Sequence, residues 1–317
     1  MSESERSLEP ELRRAFYLTG PTASGKTAVG VALAKRLDAE VIALDSMTLY
    51  RGLDIGTAKP TLEERAGVPH HLIDVLDPWE QGSVAEYRAW AIAAAAAIES
   101  RGRRVLFVGG TALYLKALIR GLFEGPAADP ELRAGLLAEV ASQGEAALHA
   151  ELARVDHRVA ARLHPNDVRR VIRALEVYRL TGKPMSDWQT EHEKQAEGLK
   201  IFALKRDRAE LHVRINGRVE QMFEAGFRDE LQRLASSERA LHPVPAQAVG
   251  YQEGFALLAG ELDQATAVNL IQARTRQFAK RQETWFRNLA EVAAWPVSAQ
   301  ETAEQVAAGL AEQIYSG

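Results

Sequence analysis

The sequence predicts an α/β fold, in which a parallel sheet is flanked by helices and interrupted by an all-helical insertion. The first observation is a set of short apolar runs, rich in β-branched or aromatic residues, that alternate with helical patterns. Such alternation indicates parallel strands joined by helical crossovers. We predict these strands at residues 15–18, 41–44, 71–76 and 105–108.

The second observation is that this rhythm stops beyond Gly121 and returns only with the apolar run 201–204. The intervening residues carry helix signals, such as the cap and first-turn proline at 129–131. After the fifth strand, Asp207 caps one long helix predicted to reach about residue 234. A last strand is predicted at 292–297, where its proline confines it to an edge. The predicted domains are a first part of the α/β core at 1–120, a helical insertion at 121–199 and a return to the core at 200–317.

The third observation is the segment GPTASGKT at 20–27. It matches the phosphate-loop motif G-x-x-x-x-G-K-[ST] between a strand and a helix, which makes the predicted core similar to that of P-loop NTPases. Gly20 and Gly25 can adopt backbone angles that let successive N–H groups face a phosphate. Lys26 would contact phosphate oxygens, and the Thr27 hydroxyl would ligate Mg²⁺. The residues predicted to bind a diphosphate or nucleotide are Gly20, Pro21, Thr22, Ala23, Ser24, Gly25, Lys26 and Thr27.

Composition excludes several classes of function. The 317 residues include no cysteine, which excludes disulfide frameworks, thiolate catalysis and cysteine-bound zinc. The N-terminal segment 1–14 is polar and rich in acids, unlike a secretory or transit peptide, and no apolar stretch is long enough to span a bilayer. We therefore expect a cytoplasmic protein that does not associate with membranes.

Two segments are basic although the net charge of the chain is −4. Residues 154–183 carry eight basic and three acidic residues, and residues 274–287 carry five and one. Arg169 and Arg173 lie four residues apart, on one face of a predicted helix in the first of these segments. These segments indicate either a polyanionic partner held through its phosphates or ordinary solvated helix faces.

Polar residues follow the predicted strands at the edge where ligands of open parallel sheets bind. Asp45 ends the second strand, where it could act as a base, hold Mg²⁺ through water or cap a turn. The turn 109–111, Gly-Gly-Thr, places further N–H groups and a hydroxyl at this edge. Arg214 and Arg218 share one helix face, which either reaches the phosphate site or faces solvent. The pattern indicates one diphosphate clamped between two loops.

Together these motifs resemble the tRNA dimethylallyltransferases, also called tRNA adenosine isopentenyltransferases, of the bacterial type. The matching segments are GPTASGKT at 20–27, DSMTLYRGLDIGTAKP at 45–60, GGTALYLKAL at 109–118, HPNDVRRVIRALEV at 164–177, VGYQE at 249–253 and RTRQFAKRQETWFRN at 274–288. The resemblance implies transfer of a dimethylallyl group from dimethylallyl diphosphate to N6 of the adenosine following the anticodon, in tRNAs that read codons beginning with U. Mg²⁺ is the implied cofactor, and we expect a monomer. Gln252 stands where the family often has a basic residue.

The resemblance also implies a role for individual residues. Asp45 is expected to accept a proton from the adenine N6, while Thr111 and Arg218, with the phosphate loop, stabilise the departing diphosphate. The adenine must leave its stack to reach them. The residues expected to bind the tRNA anticodon stem-loop are Asp45, Ser46, Met47, Thr48, Thr111, Arg133, Arg169, Arg170, Val171, Ile172 and Arg173.

Other hypotheses are open on the sequence alone. A kinase acting on a nucleotide or small molecule would use the same loop, Asp45 and Mg²⁺. An RNA-binding ATPase switch would need no catalytic base, and a prenyltransferase acting on free AMP would share the phosphate loop. The basic helical insertion favours a tRNA substrate, because a small-molecule enzyme has no use for it.

Overall fold

The computed structural model describes residues 8–121, 125–190 and 198–316 of the chain. The chain divides into two compact units, Met1–Ile119 with Gln195–Gly317 and Arg120–Lys194. We call the first the sheet unit and the second the helical unit. Residues 1–7, half of the polar segment interpreted above, lie outside the described residues.

The described part of the sheet unit contains one six-stranded parallel sheet. Its strands are β1 (Phe16–Thr19), β2 (Ala39–Ala43), β3 (His70–His71), β4 (Arg104–Val108), β5 (Lys200–Lys205) and β6 (Val292–Pro296). They are arranged in the order β3-β2-β4-β1-β5-β6. The predicted α/β fold with a parallel sheet is confirmed, and the carboxyl ends of β1, β2 and β4 meet at one edge.

Helices connect and cover these strands. In chain order they are α1 (Pro10–Arg14), α2 (Lys26–Leu37), α3 (Leu62–Arg65), α4 (Val84–Ser100), α5 (Ala112–Arg120), α6 (Pro130–Gln143), α7 (Glu145–Val155), α8 (His157–Ala160), α9 (Val168–Thr181), α10 (Met185–Thr190), α11 (Arg208–Glu224), α12 (Phe227–Ala235), α13 (Pro243–Ala246), α14 (Tyr251–Leu258), α15 (Gln264–Arg287) and α16 (Ala303–Ser316). Within the ranges given above, no helix combines the length and hydropathy that crossing a bilayer requires.

The sheet separates two hydrophobic cores, because successive side chains of a strand point to opposite faces. On one face, the rings of Tyr17 and Phe107 stack with their centroids 5.0 Å apart, and α4, α5, α11 and α15 cover them. On the other face, Leu18 and Leu106 pack against α2 and α16. These side chains are buried on both faces, which explains why the strands appear in the sequence as continuous apolar runs.

Two elements differ from the sequence prediction. The third strand was expected at 71–76, but β3 ends at His71, because Leu72 and Asp74 adopt left-handed backbone angles with φ of 59° and 57°. The long helix expected after Asp207 is broken into α11 and α12 by Gly226, whose φ is 94°. The last strand is at the edge of the sheet, as its proline predicted.

The helical unit has its own apolar core. Side chains from α6, α7, α8 and α9 form it, among them Leu136, Leu152 and Leu175. The described residues between 121 and 199 include helices and loops but no strand. The absence of a period-2 pattern in this part of the sequence therefore reflects its structure.

Candidate active site

A cavity of about 770 Å³ opens at the carboxyl edge of the sheet, beside the loops that follow β1, β2 and β4. Residues from all three loops line it, so distant parts of the sequence meet there. The residues predicted from the sequence that line it are Thr22, Ala23, Gly25, Lys26, Thr27, Asp45, Ser46, Met47, Thr48, Thr111 and Arg218. Gly20, Pro21 and Ser24 are buried in the same phosphate loop but do not line the cavity.

The phosphate loop adopts a backbone that its glycines permit. Gly20 and Gly25 have φ of 141° and 94°, in the region that side chains disfavour. A Cβ atom at Gly20 would lie 2.8 Å from the carbonyl oxygen of Leu204, so the loop packs directly on β5. Gly25 immediately precedes α2. The loop therefore ends at a helix N-terminus, whose N–H groups and dipole favour an anion.

Lys26 bends back over this loop. Its Nζ donates a hydrogen bond to the carbonyl oxygen of Pro21 at 2.7 Å. Burial lowers the pKa of Lys26 to about 8, while the Asp45 carboxylate acts to raise that pKa and the Arg218 guanidinium acts to lower it further. A bound diphosphate would supply a negatively charged partner for this desolvated ammonium.

Arginine side chains surround the loop. Arg218 Nη1 donates to the hydroxyl of Thr22 at 2.9 Å, and Arg214 Nε donates to the carbonyl oxygen of Ala23 at 2.8 Å. Arg206 Nε donates to the carbonyl oxygen of Ser24, the next residue of the loop, at 2.8 Å. Because these acceptors are neutral, they orient the guanidinium groups of Arg214 and Arg218 without cancelling their charge. Burial lowers the pKa of Arg218, which shows how strongly this charge is desolvated.

Asp45 follows β2 on another wall of the cavity. Its Oδ1 accepts a hydrogen bond from the backbone N–H of Met47 at 2.9 Å, so the carboxylate also caps its own loop. Burial raises the pKa of Asp45, against the opposing effects of the Met47 N–H and the Lys26 ammonium. The hydroxyl of Thr111 accepts from the backbone N–H of Ser46 at 3.0 Å, which ties the turn after β4 to the Asp45 loop. A carboxylate with a raised pKa near a cationic loop is suited to accept a proton.

Lys59 holds the segment after Asp45 in place. Its side chain is buried, and Nζ donates to the carbonyl oxygen of Tyr50 at 2.7 Å and to the carboxylates of Asp54 and Asp74 at 2.6 and 2.5 Å. All three donor sites of the ammonium are therefore used within the protein. The sequence analysis did not identify this role, because it depends on contacts that the motif alone does not show.

Glu230 of α12 fixes the next part of this segment. Its fully buried carboxylate accepts backbone N–H groups from Asp54 at 2.9 Å, Ile55 at 2.7 Å and Gly56 at 3.2 Å. The hydroxyl of Tyr251 donates to the same carboxylate at 2.6 Å. Three successive N–H groups around one carboxylate form an anion-binding nest. Sequence reasoning missed Glu230, which has no motif of its own.

Gln282 of α15 was also missed. Its Oε1 accepts from the backbone N–H of Thr22 at 2.8 Å, and its Nε2 donates to the carbonyl oxygen of Gly110 at 2.8 Å. The side chain thus joins the phosphate loop to the turn after β4. No signal in the sequence distinguishes it from Gln272 or Gln277 on the same helix.

The geometry can be compared with known proteins. A family model described as IPP transferase matches residues 48–289, well over half of the chain. The chain belongs to the IPP transferase family. It is 48% identical over 278 residues to "tRNA dimethylallyltransferase 1" of Trichlorobacter lovleyi, covering 87% of this chain and 91% of that protein. It is 49% identical to the "tRNA dimethylallyltransferase" of Burkholderia thailandensis, with 90% of each chain covered.

Solved structures of the IPP transferase family have the same fold. A full-length tRNA isopentenylpyrophosphate transferase from Bacillus halodurans matches with a TM-score of 0.68 and 41% identity, over 96% of this chain and 98% of that one. A eukaryotic dimethylallyltransferase, described in crystallographic snapshots of the enzyme acting on tRNA, matches with a TM-score of 0.80 and 27% identity. The match covers 95% of this chain and 78% of that one.

Gln252, which departs from the family pattern, lies on α14. Gln252 Oε1 accepts from Arg274 Nη1 at 2.7 Å. The same guanidinium pairs with Glu253 at 2.5 Å. Arg274, the first residue of the second basic segment, is therefore held by α14.

The helical unit uses two of its predicted RNA-binding arginines internally. Arg133 forms a two-point ion pair with Glu176, with N–O distances of 2.8 and 2.9 Å. Arg173 contacts the same carboxylate at 2.5 Å and also donates to the carbonyl oxygen of Pro126. Glu176 is fully buried and also accepts the backbone N–H of Asp129. These contacts join α6 to α9.

The other residues of the predicted segment 169–173 divide into two kinds. Val171 and Ile172 are buried in the core of the helical unit, 1% and 6% exposed, so their side chains pack inside the fold. Arg169 and Arg170 are exposed on α9. Arg170 has a weak contact with Asp167 at 3.3 Å. The exposed charge of this segment is therefore concentrated at 169 and 170.

The donor set of the cavity fits Mg²⁺. This ion prefers hard oxygen ligands and keeps several waters, so that it needs few protein groups. Thr27, at the start of α2, is exposed and lines the cavity, and Asp45 lines the same cavity. Both provide oxygen donors of the kind required.

Proposed function

We propose that this member of the IPP transferase family transfers a dimethylallyl group from dimethylallyl diphosphate to N6 of the adenosine following the anticodon, in tRNAs that read codons beginning with U. The products are N6-dimethylallyladenosine in the tRNA and free diphosphate. The observation that carries the proposal is the pairing, in one cavity, of the Asp45 carboxylate with the cationic phosphate loop. Prenyl transfer needs this pairing, because a proton acceptor and a leaving-group site must lie near each other.

The reaction makes one bond and breaks one. N6 of the adenine attacks the allylic carbon, and the bond from that carbon to the diphosphate oxygen breaks as the N–C bond forms. The electron pair of the broken bond leaves with the diphosphate, and the proton lost from N6 passes to Asp45. The adenine amine is a weak nucleophile, so orientation by the 45–48 loop contributes alongside the base.

The phosphate loop serves the leaving group. Negative charge grows on the diphosphate in the transition state. Lys26, Arg218 and Thr111 line the cavity, and we assign them to the stabilisation of this charge. We assign Thr27 as the protein ligand of Mg²⁺, which when bound neutralises part of the diphosphate charge. The ammonium of Lys26 would exchange its bond to the Pro21 carbonyl for one to the substrate.

Recognition of the tRNA is assigned to both units. The target adenine must be flipped out of its stack to enter the cavity, where Ser46, Met47 and Thr48 would contact it. Arg169 and Arg170 would contact the anticodon arm, since they are the exposed positions of their segment. We further propose that the protein acts in the cytoplasm as a monomer.

The decisive experiment measures transfer of radiolabel from dimethylallyl diphosphate, with Mg²⁺, to two acceptors in parallel. One is an anticodon stem-loop with an unmodified adenosine, and the other is free AMP. We expect label on the stem-loop alone. Label on AMP would identify a free-nucleotide prenyltransferase, and ATP consumption with label on neither acceptor would favour the kinase hypothesis.

The Asp45→Asn variant tests the base within the same assay. Asparagine keeps the size and can still cap the Met47 N–H, but it does not accept the N6 proton. We expect kcat to fall by about 10²-fold or more while the stem-loop is still bound. Asp229→Asn, an exposed aspartate of α12, is the matched control. A variant at 45 that keeps the wild-type kcat would contradict the assignment.

A further inference from the structure

The side chain of Gln282 joins two loops that are far apart in the sequence. Its Oε1 accepts from the N–H of Thr22 in the phosphate loop, and its Nε2 donates to the carbonyl oxygen of Gly110, both at 2.8 Å. Gln282 is 5% exposed and lies in the C-terminal part of α15, far along the chain from both partners. A rigid helix therefore holds both loops through one amide.

The two partners determine which way the amide points. A backbone N–H can only donate and a carbonyl oxygen can only accept, so each end of the amide has a single compatible partner. Oε1 must face Thr22 and Nε2 must face Gly110. The amide is thus locked in one orientation, with both of its polar ends used inside the protein.

Gly110 leaves no room for an alternative arrangement. A Cβ atom at this position would lie 2.5 Å from Nε2 of Gln282 and 3.3 Å from the carbonyl oxygen of Gly20. The turn after β4, the phosphate loop and the Gln282 amide therefore meet in direct contact. A side chain at 110 would have to displace the amide.

Each loop that Gln282 holds carries a residue of the proposed chemistry. The hydroxyl of Thr22 accepts from Arg218 at 2.9 Å, so the position of Thr22 sets that of the guanidinium. Next to Gly110, the hydroxyl of Thr111 accepts the N–H of Ser46 at 3.0 Å, which sets the loop that begins at Asp45.

We propose that Gln282 is a positioning residue, which sets the distance between the diphosphate site and the Asp45 loop by holding Thr22 and Gly110. This inference rests on the proposed function and deepens it. The reacting carbon lies between the leaving diphosphate and the attacking N6, so the separation of the two loops determines whether both groups are aligned with it. Small misalignments of this kind reduce rates strongly.

The Gln282→Met variant removes both hydrogen bonds and keeps the length of the side chain. We expect kcat for stem-loop prenylation to fall about tenfold and KM for dimethylallyl diphosphate to rise about tenfold, with an unchanged KM for the stem-loop. The rise in Tm that Mg²⁺ and inorganic diphosphate produce should also shrink, since it reports the diphosphate site without any prenyl transfer.

Gln272→Met is the matched control. Gln272 lies on the same helix, is 8% exposed and donates to the carbonyl oxygen of Asn216 and to Glu220, both on α11. Its loss should lower Tm as much as the loss of Gln282 does, but leave kcat and both KM values near wild type. A Gln282→Met variant with the kinetics of this control would overturn the inference, and so would one that changes only the KM for the stem-loop.

A double-mutant cycle between positions 110 and 282 tests the contact directly. Gly110→Ala should lower kcat/KM, because the new methyl group displaces the amide. In a Gln282→Ala background there is no amide to displace, so the same change should lower kcat/KM only slightly further. Additive effects would overturn the inference. If the wild-type protein transfers no label to the stem-loop, the proposed function fails, and the diphosphate-dependent rise in Tm still tests the effect of Gln282.

Discussion

Arginine is used in different ways beside the phosphate loop of the sheet unit and around Glu176 in the helical unit. Beside the phosphate loop, Arg214 and Arg218 donate to neutral acceptors, a carbonyl oxygen and a hydroxyl, and keep their charge available to a ligand. In the helical unit, Arg133 and Arg173 share the buried carboxylate of Glu176. The same residue type therefore supplies charge to the cavity in one place and joins helices in the other.

The difference lies in the partner and in its burial. A neutral partner orients a guanidinium and leaves its field intact, so the site is ready for an anion. A buried carboxylate cancels the field, and the pair is then required for stability because neither charge can be left alone. A count of basic residues along the sequence does not separate these uses.

Removal of the Arg218 charge should have the largest effect. We expect Arg218→Met to lower kcat by about 10²- to 10³-fold, as for the loss of a preorganised group that stabilises a leaving group. Stability should not fall much, because burial disfavours this cation and lowers its pKa, against the opposing effects of the Asp45 and Glu64 carboxylates. Steady-state kinetics measures the change in kcat, and a thermal melt measures the change in stability. A kcat within threefold of wild type would show that this arginine is not part of the leaving-group site.

Removal of the Glu176 charge should instead lower stability and leave the diphosphate site unaffected. Glu176→Gln leaves two guanidinium groups without their counterion, and we expect a loss of about 2 kcal/mol in unfolding free energy, less than for a fully buried pair because Arg133 is partly exposed. The diphosphate-dependent rise in Tm should persist. Urea unfolding measures the loss, and a variant as stable as wild type would show that the ion pair does not stabilise the fold.

The pH dependence of stability in the same variant provides a second test. Burial acts to raise the pKa of Glu176, but hydrogen bonds from Arg133, Arg173 and the Asp129 N–H outweigh it and lower that pKa below 4.5. The group therefore stabilises the fold above pH 4.5, and this contribution is lost as pH falls through the depressed pKa. In Glu176→Gln, that part of the acid dependence of stability should be absent.

Lys26 links the charge of the phosphate loop to pH. Because its pKa is lowered to about 8, the free enzyme loses the ammonium as pH rises through this value, and kcat/KM for dimethylallyl diphosphate should fall about tenfold for each further pH unit. The pH profile of kcat/KM measures this limb. In Lys26→Arg, which keeps its charge at these pH values, activity is expected to be lower but the limb should be absent.

Arg169 should show the smallest effect. We expect Arg169→Gln to raise the stem-loop KM several-fold and to reduce the slope of log affinity against log salt by about one, as for the loss of one phosphate contact. Arg133→Gln, whose partner is Glu176, should instead lower the unfolding free energy with little change in that slope. Equal salt slopes for Arg169→Gln and wild type would exclude Arg169 from the RNA contact.

Local patterns account for what the sequence predicted correctly. The strands are short apolar runs because they are buried on both faces, and Gly20 and Gly25 are required by the backbone of a single contiguous loop. The third strand was predicted too long, because apolarity in 71–76 does not show that Leu72 and Asp74 take left-handed angles. The roles of the site residues stay predictions until the experiments above are performed.

The class of fold, the phosphate loop and the position of Asp45 at the edge of the sheet follow from local patterns along the chain. Which polar side chains hold that edge together depends on how the chain packs. Gln282 is 260 residues from Thr22, and Glu230 is 174 to 176 residues from the N–H groups it binds. A hydrogen bond depends on distance and angle in space, and a motif records only neighbours along the chain.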